Sequence, residues 1–99
     1  MTDTEETAIR RKRLLHRSRY TGMKETDLML GRFANKYIQK FSDEELDIYE
    51  KLLQAGDPSI YAWAVGREEI PAEYDTSVMQ KLKNFAIFEH DPANPNDDN

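Results

Sequence analysis

Six basic side chains fall within ten residues, Arg10, Arg11, Lys12, Arg13, Arg17 and Arg19, and the run leads directly into Thr21-Gly22-Met23-Lys24-Glu25. Guanidinium groups are planar forks that grip carboxylates or phosphates in pairs, so such a stretch suits either an acidic protein surface or a nucleic-acid backbone. At helical spacing Arg10, Arg13 and Arg17 share one side, which makes them candidates for electrostatic steering of a partner. The same side would also serve as a solvated face offset by the acidic segment 43–50. A net charge of −5 would repel phosphate, so no nucleic-acid partner is expected.

Other reactive groups are sparse. His16 sits among arginines and His90 near the end, without a second ligand at metal spacing, so no metal site is expected. Asp43, Glu44, Glu45, Asp47 and Glu50 read as the solvated face and favourable first turn of a helix, not as a catalytic set. Gly22 and Gly31 form no phosphate-binding loop, and no bound nucleotide or other cofactor is expected. Glu25 with His16 would be the minimal acid–base pair of an enzyme, but no pocket signature accompanies them. The chain has no cysteine, which removes thiol catalysis, disulfides and thiolate metal sites.

The elements that must carry these residues are helical. Thr2-Asp3-Thr4-Glu5 has capping-box spacing, predicting a first helix over 4–20 that Gly22 ends or redirects. A narrow apolar stripe of Ala8 and Leu15 is its expected docking face. Leu30, Phe33, Ala34, Tyr37 and Phe41 fall on one side of a second helix over 24–40. Glu25, Leu28, Met29 and Arg32 cluster on its other side, where Leu28 and Met29 meet either another helix or a partner. Ser42-Asp43-Glu44-Glu45 is a capping box for a third helix with Leu46, Tyr49, Leu52 and Leu53 inward, ended by Gly56.

Asp57-Pro58 predicts an N-cap and first residue for a short fourth helix through Ile60, Tyr61, Trp63, Ala64 and Val65. Trp63 is expected in the core, and the hydroxyls of Tyr37, Tyr49 and Tyr61 at its wet rim. Val78, Met79, Leu82, Phe85 and Ala86 mark a fifth helix over 76–89. The fold class is therefore all-α, a compact five-helix bundle forming one domain over 1–90, with a disordered acidic tail over 91–99. No apolar run approaches the roughly 20 residues that span a bilayer, so membrane insertion is not expected. The acidic start (Asp3, Glu5, Glu6) does not read as a targeting peptide. A monomer in the bacterial cytoplasm is the expectation.

Read together, Arg11-Lys12-Arg13-Leu14-Leu15, Ser18-Arg19, Gly22 through Leu28, Leu30 and Phe33-Ala34-Asn35-Lys36-Tyr37 resemble the SdhE-like succinate dehydrogenase assembly factors. Glu45 through Leu53, Asp57 through Trp63 and Met79 through Phe85 extend the resemblance to roughly residues 9–88. It implies a five-helix, non-catalytic protein that binds the flavoprotein subunit of succinate dehydrogenase, or of fumarate reductase, and promotes its covalent attachment of FAD. In that case FAD is attached to the partner and not to this chain. The family's Arg-Gly-x-x-Glu signature carries over at Gly22 and Glu25, while Thr21 stands where the family has arginine. Arg19 is near enough in sequence to substitute. A generic interaction module of the antitoxin type is the alternative.

Overall fold

The computed structural model describes residues 5–89. The capping residues before Glu5, His90 and the acidic tail lie outside the described residues. Five α-helices follow one another: α1 (Glu5–Ser18), α2 (Lys24–Tyr37), α3 (Asp43–Gln54), α4 (Asp57–Ala64) and α5 (Ser77–Asn84). A 3-10 turn at Ile38–Lys40 extends α2, another at Ala72–Tyr74 lies between α4 and α5, and a wide π turn at Phe85–Glu89 continues α5. No strand occurs among the described residues.

α2 is the central helix. Thr26, Met29, Leu30, Gly31, Arg32, Phe33 and Ala34 are all buried along it, because α1 and α4 cover different sides. Phe33 is the hub of an aromatic cluster, with ring centroids 5.2 Å from Tyr37, 5.9 Å from Tyr49 and 5.6 Å from Phe85. Removing such side chains from water contributes about 1.5–3 kcal/mol each, which is what holds a chain without disulfides together. α3 presents Leu46, Tyr49, Leu52 and Leu53 to this core, and α5 presents Val78, Met79 and Leu82. Trp63 is buried and packs on Tyr74 at 4.9 Å.

The helix ends follow their local chemistry. Ser42 and Glu45 form a reciprocal capping box at the start of α3, with the Ser42 amide donating to Glu45 and the Glu45 amide to Ser42 Oγ. Thr76 caps α5 by accepting from the Met79 amide at 3.1 Å. Past α4, the Arg67 amide donates to Ala62 O at 2.8 Å and that of Gly66 to Trp63 O at 3.4 Å, the paired bonds of a Schellman ending.

Several expectations are corrected. The first helix buries Arg11, Leu14 and Ser18; of the expected Ala8 and Leu15 stripe, Leu15 is half-buried against the core while Ala8 is exposed. The cap of α4 is Gly56, with Asp57 already helical. The fifth helix gives way at Phe85 to the π turn instead of running regularly to residue 89. The Tyr49 hydroxyl is not wet: Tyr49 is fully buried, and its oxygen lies 2.5 Å from Ser18 Oγ.

Candidate docking edge at the start of helix two

At the last residue of α1 the Ser18 side chain turns back on its own helix, donating to Leu14 O at 2.8 Å. That donation commits the only Ser18 proton, so Tyr49 is the donor in their 2.5 Å contact. Burial pushes the Tyr49 hydroxyl up in pKa, and the nearby Arg17 charge offsets this only in part. The end of α1 is thereby fixed to α3. Arg11 adds a second tether: its Nε donates to Ile38 O at 3.1 Å and its terminal nitrogen to Phe41 O at 2.7 Å. These carbonyls lie in and just past the 3-10 turn that ends α2, where the chain's own donors are few: Ile38 O takes one long bond from the Phe41 amide at 3.4 Å. Both ends of the α1–α2 pair are thus held by polar groups inside the core.

Between them the chain turns at Gly22, whose φ of 120° is open to glycine and strained for any L side chain. Gly22 and Glu25 are exposed, and around them stand Tyr20, Met23 and Leu28, with 70%, 37% and 37% of their surface accessible. The His16 ring stacks beside Tyr20 at 4.6 Å. The result is an exposed edge with an apolar middle, a backbone open to close approach at Gly22, and one carboxylate at Glu25. Lys12, Arg13, Lys24 and Arg19 are exposed on the flanking helix faces and loop.

The candidates read from sequence separate into two groups. Gly22, Glu25, Leu28 and Arg19 are exposed on or beside this edge, and Thr21 is half-buried in it. The Arg19 stem lies against α2 at Gly31, where an added Cβ would come within 3.2 Å of Arg19 Cγ. Met29 is not a surface residue: it is fully buried because α2 is covered on more than one side. Arg10 turns to its own chain, with its guanidinium 2.5 Å from Asp47 and 3.0 Å from Glu50 on α3. Those carboxylates raise the Arg10 pKa, chiefly through the Asp47 bond. Arg13 lies 3.8 Å from Glu50, and Arg17 is half-buried on the Tyr49 side. The shared arginine side is therefore largely the seam between α1 and α3.

Sequence reasoning passed over Asp27. Its Oδ1 accepts from both the Thr21 amide and the Thr21 hydroxyl, each at 2.5 Å, across the Gly22 turn. The available signal was an acid four residues into a helix that has no capping side chain before it. No group of acidic and histidine side chains among the described residues is arranged to hold a metal ion, and no described helix is long and apolar enough to cross a membrane.

A small helical bundle that presents such an edge has the form of a protein-docking module. The sequence matches the family described as flavinator of succinate dehydrogenase over residues 12–86, and the chain belongs to that family. It is 46% identical over 77 residues to succinate dehydrogenase assembly factor 2-A, mitochondrial, of Drosophila willistoni, covering 76% of this chain and 49% of that protein. To assembly factor 2 of Drosophila grimshawi it is 42% identical over 81 residues, 80% of this chain and 55% of the relative. The counterpart in Dictyostelium discoideum is 40% identical over 74 residues, 75% of this chain and 52% of that protein. The chain spans about half the length of these relatives. All three are named as mitochondrial proteins, which overturns the expectation of a bacterial cytoplasmic location.

Proposed function

We propose that this chain is an assembly factor for succinate dehydrogenase that docks on the flavoprotein subunit through the Gly22–Glu25 edge and promotes covalent attachment of FAD to that subunit. The observation that carries the reading is the family match over 12–86 together with the exposure of Gly22 and Glu25 at one turn. Gly22 allows the partner backbone close, Glu25 offers a charged anchor, and Leu28 supplies apolar contact beside them. Arg19, Arg13 and Arg17 contribute positive potential during approach.

The chemistry belongs to the partner. A binding protein accelerates attachment by holding the flavoprotein in the arrangement in which its histidine and FAD meet, and it does so only if it binds that arrangement more tightly.

Deleting the gene and viewing flavin fluorescence on a denaturing gel tests the proposal. The band of the flavoprotein subunit is expected to dim and to recover when the gene is returned. Undiminished covalent flavin in the deletion strain would refute the role.

A further inference from the structure

We infer that Asp27 is the positioning residue of the docking edge, and that the side chain at position 21 acts inward upon it instead of outward upon the partner. The functional half of this inference rests on the reading above. Glycine gives the turn its shape but not its rigidity, since it has more conformational freedom to lose than any other residue. Nor is the start of α2 fixed from its cap, because Met23 offers no side-chain acceptor. A single carboxylate supplies both restraints. Asp27 Oδ1, in the first turn of α2, takes the Thr21 amide and hydroxyl at 2.5 Å each and so ties the turn to the start of the helix, while the Asp27 amide makes only the ordinary first helical bond, to Met23 O at 2.8 Å.

Residues 21 and 27 thus bracket Gly22 and Glu25, setting where the carboxylate of Glu25 stands relative to the open backbone. The Thr21 hydroxyl has one proton and it is committed to Asp27. Threonine at this position therefore keeps the one feature that an arginine would share with it, a side-chain donor for Asp27. Replacement of the family arginine removes a charge from the edge without unfastening it. Thr21→Arg is accordingly expected to leave flavoprotein binding unchanged within about threefold, since one charge-assisted bond replaces one hydroxyl bond to the same acceptor.

Asp27→Ala and Asp27→Asn separate positioning from charge. Both remove the negative charge near the helix N-terminus, whereas the asparagine oxygen can still accept from Thr21. Amide exchange of Thr21, followed by NMR on the full chain, is expected to speed up about tenfold or more in Asp27→Ala and to stay near wild type in Asp27→Asn. Co-purification of the flavoprotein subunit should fall about tenfold in the alanine variant and be largely retained in the asparagine one. Thr76→Ala, which removes the cap of α5, gives a comparable loss of thermal stability remote from the edge and should bind normally.

Unchanged Thr21 exchange in Asp27→Ala overturns the clamp. Equal binding losses in the two Asp27 variants, or an equal loss in Thr76→Ala, overturn the positioning role. If the wild-type chain does not retain the flavoprotein, the functional reading fails, and Thr21 exchange still decides the clamp.

Discussion

Replacing Arg11 by methionine keeps an unbranched side chain in the core while deleting its donors. Arg11 is 5% exposed, and its bonds to Ile38 O and Phe41 O, at 3.1 and 2.7 Å, serve the end of α2. The Ile38 carbonyl retains a long bond from the Phe41 amide, at 3.4 Å, so Phe41 O is the more severely stranded of the two. Losing a charged donor to a buried carbonyl costs about 1.5–3 kcal/mol per bond. Relief from burying the guanidinium offsets part of that sum, leaving a net destabilisation of about 2–4 kcal/mol. For a domain of this size each kcal/mol moves Tm by about 4–8 °C, so Arg11→Met should melt at least about 8 °C below wild type. Thermal unfolding followed by circular dichroism measures it. Arg11→Lys, with the charge kept but the fork lost, should fall between the two. A methionine variant within about 3 °C of wild type would refute the reasoning, because that shift is under 1 kcal/mol on this scale.

The Ser18–Tyr49 contact predicts an asymmetry between its partners. Tyr49→Phe leaves Ser18 bonded to Leu14 O and should cost about 1 kcal/mol, while Ser18→Ala strands the buried phenol and should cost about 1–3 kcal/mol, read from urea unfolding. Because burial raises the Tyr49 pKa, its hydroxyl stabilises the fold fully below the ordinary tyrosine value near 10 and loses that contribution as pH rises above it. An absorbance titration should accordingly show Tyr49 ionising above the ordinary tyrosine value; ionisation at that value would contradict the burial. Arg10→Met should lower stability by at most about 1 kcal/mol, with the loss fading in high salt, and should leave flavoprotein binding intact. A variant unable to bind would return Arg10 to the docking surface.

Much of the bundle was legible because α2, α3 and α5 turn apolar side chains inward at helical spacing. Leu30, Phe33 and Ala34, then Leu46, Tyr49, Leu52 and Leu53, then Val78, Met79, Leu82 and Phe85 are the residues the pattern selects and the structure buries. α1 was not legible in this way. Its inward face at positions 11, 14 and 18 carries two polar residues, each satisfied by a carbonyl, so hydrophobic periodicity selected Ala8 and Leu15 instead. A period of polar and apolar residues mixed at i, i+3 and i+7 is invisible until the acceptors are known. Met29 misled for the opposite reason: a central helix is covered on several sides, and a second apolar face need not await a partner. The Gly22–Glu25 edge was marked by its residues, while the Asp27 bracket was hidden because its bonds skip across the turn.

The central claim is that the turn at Gly22 is the surface the flavoprotein subunit needs. Its direct measurement is covalent flavin in that subunit, by in-gel fluorescence, when a strain lacking the gene is supplied with wild type, Gly22→Ala or Gly22→Arg. A side chain at φ 120° strains the turn by about 1–3 kcal/mol, and arginine adds bulk where the partner must approach. Alanine is expected to give a partial signal and arginine almost none, with the helical circular-dichroism spectrum of both variants preserved. Full flavin fluorescence with folded Gly22→Arg would contradict the account.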